Sequence, residues 1–147
     1  MQSTSTSPAQ YRAELPDDRR PDVEAVLGVV RRAIRPGSEE RMSFGMFGWV
    51  DPLSTYSDTY NGSPLTSAGL AMQKRHNAPY LMCVYADAAT ERDFRTRWTV
   101  GGRRLGVGKS CLRYRRATVL AMDLLAEAVA RFDAHELIDL HERSRTR

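Results

Sequence analysis

The chain has 147 residues, 41% hydrophobic and 27% charged, with a net charge of +4. Those proportions suit one soluble domain that buries a core without staples, and no apolar run nears the ~20 residues needed to span a bilayer. The charge is uneven: residues 91–116 hold nine basic side chains against Glu91 and Asp93, an excess of +7, so the remainder is net acidic.

Met1 to Ser7 is polar, with no basic start and no apolar segment behind it. It therefore reads as a frayed tail rather than a secretory signal, leaving residues 8–147 as a single domain with an expected cytoplasmic location and no membrane contact. Pro8 to Leu15 predicts a short helix ending before Pro16. The next helix starts near Asp17 or Asp18, with carboxylates at its positive end and Pro21 in the first turn. Val23, Val26, Leu27, Val30 and Ile34 make one apolar face, and Pro36-Gly37 stops it.

From Glu40 to Val50 the period turns strand-like, with Met42, Phe44 and Met46 alternating against Ser43, Gly45 and Phe47. Asn61-Gly62 predicts a type I′ turn before a strand over 65–72. Tyr80 to Tyr85, apolar at nearly every position, reads as a mid-sheet strand, with Pro79 at or before its start. Ala88 to Trp98 reads as a helix carrying Phe94 and Trp98 inward, and Cys111 to Arg115 as a further strand. Thr118 is positioned to cap a helix bearing Met122, Leu125, Val129 and Phe132, and a last helix covers 134–141. Helices, then mainly antiparallel strands, then helices is an α+β order, with the terminal helices packed on one face of the sheet.

Cys83 and Cys111 sit in apolar surroundings and read as free buried thiols. His76, His135 and His141 are scattered, and no zinc-type spacing occurs. With lysine confined to Lys74 and Lys109, nearly all positive charge is guanidinium.

Four segments, in order, carry a family resemblance. Leu15 to Arg20 with its following helix, Glu40 to Met46, Lys74 to Leu81 and Gly108 to Tyr114 resemble the motifs of the YdhG-like family, a bacterial domain family of unknown function. The likeness covers about residues 8–142. Phe47 stands where the family usually has proline, and Arg75 where asparagine often precedes the histidine. The resemblance implies a compact α+β sandwich with an antiparallel sheet. Some members are described as frataxin-like intracellular iron chaperones, which implies iron as an alternative cofactor.

Gly106 to Ser110 lacks the glycine that a phosphate-binding loop needs at position 103, and a strand follows it, so a glycine-rich turn is the better reading. On a strand over 111–115, Arg113 and Arg115 share one side, where Arg113 can grip an oxyanion as a fork and Lys109 adds a point charge. The competing reading is an exposed sheet face or an internal pair with Glu39 or Glu40. His76 has no Ser, Cys or paired carboxylate beside it, so no nucleophilic constellation is visible. His76, Tyr80, Lys109 and Arg113 are therefore the candidate ligand-binding residues, around a small anionic ligand at one end of the sheet, with no catalysis expected. For iron, Asp18, Asp22 and Glu40 are the candidate carboxylates, though Arg19 and Arg20 intervene. Nucleic acid, held by the arginines of 91–116 with Phe94, Trp98 and Tyr114, ranks third because the aromatics sit at core spacing. A homo-oligomer stays open.

Overall fold

The helix over Arg20–Ala33 (α2) forms on the predicted stripe, and burial follows it: Val23, Val26, Leu27 and Val30 are inaccessible to solvent. The computed structural model describes residues 3–59, 61–100, 102–104, 106 and 111–146. A short helix, Pro8–Ala13 (α1), precedes α2, and four strands follow: Glu39–Ser43 (β1), Met46–Asp51 (β2), Leu65–Met72 (β3) and Asn77–Tyr80 (β4). Then come a single helical turn, Met82–Tyr85 (α3), and helices over Ala88–Thr99 (α4), Met122–Ala130 (α5) and Ala134–Arg145 (α6), with a 3₁₀ turn at Ala117–Val119. The sheet is antiparallel throughout, in the order β1-β2-β3-β4. The fold is thus α+β with helices at both ends of the chain, as the order of elements in the sequence implies.

The core lies where α2, α4 and α5 meet the sheet face carrying Phe47, Trp49, Ala68 and Leu70. Phe47 and Trp49 stack tilted at 4.9 Å between ring centroids, and Phe94 and Trp98 at 5.4 Å. Burying such rings supplies most of the apolar driving force and a further ~1 kcal/mol per favourable ring pair. Asp133 caps α6 in a reciprocal box with Glu136, satisfying donors that the helix start leaves open. Both cysteines are free and buried, and burial pushes the Cys83 thiol up to about 12. Among the described residues no helix is long and apolar enough to cross a membrane.

Several expectations need correction. The stretch 40–50 is not one strand but a hairpin, because Phe44 and Gly45 both take positive φ, 50° and 74°, and reverse the chain in two residues. This is the type I′ geometry that the sequence suggests for Asn61-Gly62, where Gly62 has a φ of 69°. Met42 and Phe47 consequently share the core face, while Met46 lies over Gly69 on the other. In the run 80–85 only Leu81, Cys83 and Val84 are buried; Tyr80 ends β4 and Met82–Tyr85 folds as the turn α3, since an apolar run does not distinguish a strand from a helix. Pro79 sits inside β4, its carbonyl accepting the Leu112 N–H at 3.0 Å. Ala121, not Thr118, begins α5. The supposed tail is tied down over residues 3–7: Ser3 N–H donates to Gly45 at 2.8 Å, Ser5 Oγ donates to Glu14 at 2.6 Å, and Ser7 caps α1.

Phe44 at left-handed φ is costly for a residue with a Cβ, by roughly 1–2 kcal/mol, and its ring is 56% exposed. Phe44→Asn, which creates an Asn-Gly turn, is expected to raise Tm by about 3 °C. A lowered Tm in a thermal melt would show that the ring contributes more than the backbone conformation costs.

Candidate functional site

The site is organised by the outer edge of β4. There the chain over 111–114 runs antiparallel to the strand: Asn77 N–H donates to Tyr114 at 2.7 Å, and Tyr114 N–H returns to Asn77 at 2.9 Å. Extended backbone alternates its side chains. Leu112 and Tyr114 therefore enter the core, at 2% and 3% exposure, and Arg113 and Arg115 face water. Arg113 N–H donates to Gly106 at 2.7 Å, drawing the segment that carries Arg103 and Arg104 alongside. The approach is close: a Cβ at position 106 would stand 3.2 Å from the Arg113 carbonyl oxygen, tighter than an ordinary contact.

Across from this strip lies the β3–β4 loop, closed by Gln73 N–H donating to the His76 carbonyl at 2.8 Å. It presents Arg75 and His76, and Arg115 Nε reaches back to the Arg75 carbonyl at 3.2 Å. Behind the loop, Arg19 donates to the Gln73 carbonyl at 2.6 Å and to Asn77 Oδ1. From below, α2 holds the strip in place. Asp22, only 6% exposed, accepts the Ala117 N–H at 2.8 Å, and Tyr114 Oη donates to the Asp22 carbonyl at 3.1 Å.

Loop and strip together border an open recess of about 690 Å³, whose lining residues include five arginines, Arg75, Arg103, Arg104, Arg113 and Arg115, together with His76. No carboxylate lines it, and among the described residues none of the five has a carboxylate oxygen within 4 Å. Other cations of the basic segment are engaged elsewhere. Arg95 pairs with Glu91 at 2.9 Å, Arg97 with Glu127 at 2.7 Å and Arg116 with Asp22 at 3.4 Å. Partial burial, reinforced by Arg113, Arg19 and Arg115, pushes the His76 pKa down, so its imidazole is neutral near pH 7 and serves as a hydrogen-bonding group rather than a charge.

The structure brings His76 and Arg113 to one recess. Tyr80 lies apart from it: it pairs with Gly69 and lines a separate hollow with Met46, Ala71 and Met82. Lys109 falls outside the described residues. Neither Glu39 nor Glu40 pairs with Arg113; Glu40 instead holds Arg31 through two bonds, at 2.5 and 2.8 Å.

The carboxylates considered for iron do not assemble. Asp22 is committed to Ala117 and Arg116, and Arg31, the partner of Glu40, lies nine residues further along α2, about 13 Å at the helical rise. Among the described residues no three His, Cys, Asp or Glu side chains group as metal ligands. The aromatics considered for base stacking are unavailable, with Phe94 6%, Trp98 2% and Tyr114 3% exposed.

Arg75, Arg103 and Arg104 were not singled out from the sequence as site residues, yet a signal was there. Residues 94–122 contain no Asp or Glu, and neither do 59–86, so arginines in those stretches have no local partner. Comparison with known protein families, curated proteins and solved structures finds no match.

Proposed function

We propose that this is a non-catalytic binding domain of YdhG-like type whose ligand is a small anion held in the Arg75–Arg115 recess. One observation carries the reading: five arginines line a recess to which the described residues bring no balancing carboxylate. Like charges gathered this closely repel, and in a low-salt solution that repulsion works against the fold. An anion that enters relieves it and gains charge-assisted hydrogen bonds, for which the guanidinium fork is well shaped. Catalysis would need a nucleophile or a poised acid–base pair, and among the described residues the titratable groups on the recess wall besides the arginines are His76 and the buried Tyr114. The YdhG-like assignment is part of the same proposal and rests on the four sequence motifs. Location in the cytoplasm is proposed on the same footing.

Anions are expected to stabilise the folded chain by mass action. At a hundredfold excess over Kd the gain is about 2.7 kcal/mol, which for a chain of this size raises Tm by roughly 8 °C. The check is thermal melting in phosphate, sulfate and citrate at matched ionic strength, for the wild type and for Arg113→Ala/Arg115→Ala. The shift should fall below about a third in the double variant. Identical shifts in both proteins, or none in either, would reject the reading.

A further inference from the structure

We infer that the recess is built for several linked phosphate groups on one ligand, an oligophosphate chain, rather than for a single oxyanion or a carboxylic acid. This rests on the anion-binding reading above and narrows it. Size argues first. About 690 Å³ lies within the range of whole small-molecule sites, roughly 300–1,000 Å³, and one phosphate or sulfate leaves most of it as water.

The placement of charge argues second. The five guanidiniums come from three backbone stations: Arg75 on the β3–β4 loop, Arg103 and Arg104 on the chain leading to Gly106, and Arg113 with Arg115 on the strip beside β4. On the strip alone, two residues of extended chain separate the Cα atoms by about 7 Å. To meet all three stations a ligand must carry negative charge at several points along its length. Linked tetrahedral phosphates do so, each offering oxygens in more than one direction. Carboxylates are planar, with a single pair of oxygens, and three on one small skeleton carry less charge than the recess holds.

The wall also offers little to a base. The lining residues include no exposed aromatic ring beyond that of His76, because Tyr114 is buried. Among the described residues a nucleobase would find only the His76 ring and guanidinium planes to lie on, not the tyrosine, phenylalanine or tryptophan platforms that single-stranded nucleic-acid sites favour. The phosphates are read, and whatever they are attached to is not. An unattached phosphate chain and a nucleoside triphosphate are thus two sources of one chemistry.

Isothermal titration of the full chain in 0.1 M salt with phosphate, pyrophosphate, tripolyphosphate, ATP, citrate and a ten-residue single-stranded DNA tests this. Expected is a Kd that tightens at least tenfold from phosphate to tripolyphosphate, with ATP within about threefold of tripolyphosphate and citrate at least tenfold weaker. Arg75→Ala/Arg113→Ala should erase the preference for the longer chain, and Arg113→Lys should keep part of it, since charge remains while the fork is lost. Citrate matching tripolyphosphate would overturn the phosphate inference while leaving the anion-binding reading intact. ATP binding far more tightly than tripolyphosphate would overturn it in favour of base recognition. DNA binding more tightly than tripolyphosphate would move the recess to nucleic acid. Absence of binding by every anion would remove both the inference and the reading beneath it.

Discussion

Asp22→Ala is expected to cost about 3 kcal/mol of stability and to lower Tm by about 10 °C. The Asp22 carboxylate accepts the buried Ala117 N–H at 2.8 Å and stands in the first turn of α2. Removing it leaves that N–H with no acceptor, a penalty of ~1–3 kcal/mol, and takes a negative charge from the positive end of the helix, worth ~0.5 kcal/mol. Its contact with Arg116 adds little, because that arginine is 70% exposed and solvent screens the pair. Asp22→Asn keeps an acceptor oxygen and should recover more than half of the loss, whereas Arg116→Ala should change stability by under ~0.5 kcal/mol. Urea unfolding of the three variants decides it. A loss below about 1 kcal/mol for Asp22→Ala would mean that water replaces the carboxylate and that α2 does not secure the strip.

Asp51 should produce a stability profile of unusual sign. It ends β2 with no solvent exposure; Ser38 Oγ donates to its Oδ1 at 3.1 Å, and its Oδ2 has no hydrogen-bond partner among the described residues. Burial raises its pKa to about 6, with the Ser38 and Ser67 hydroxyls opposing the shift, Asp133 adding to it and His135 opposing it. The folded state therefore holds the proton more tightly than the unfolded chain does. The stability that this group contributes is fully present below the unfolded pKa of about 3.9 and is lost as pH rises through about 6. Across that window the loss is about 3 kcal/mol. Asp51→Asn mimics the protonated form at every pH, so it should raise Tm by roughly 10 °C at pH 8 and leave it nearly unchanged at pH 4. Melts at the two pH values read the difference directly. A destabilised Asp51→Asn at pH 8 would show that the ionised carboxylate is used, and the sign would be reversed.

The sequence made the long elements legible and hid the short ones. Helix α2 announces itself because five apolar residues at helical spacing are bounded by Pro21 and Pro36-Gly37, and β3 because its alternation has clear turn signals before it. The β1–β2 hairpin is concealed by Phe44, a residue that side-chain preference would not place at positive φ. Alternation appears to run through it, so the face of every residue after the turn is assigned one position out. The recess was half legible. His76 and Arg113 could be chosen because each borders a strand-like segment, but Arg75 and Arg115 meet only because residues 111–114 bridge to β4, a pairing of residues 31 to 37 positions apart. Composition pointed to the basic segment; only the fold separates the arginines of α4, which have carboxylates within reach, from those that lack them.

The strip over 111–114 has a consequence for biosynthesis as well. It shields the outer margin of β4, whose amide and carbonyl groups would otherwise invite another chain to add on. During translation that margin stays bare until residues 111–114 leave the ribosome, and the clasp from Asp22 to Ala117 spans 95 positions. Premature termination anywhere before residue 111 would therefore release a sheet with an open, adhesive border.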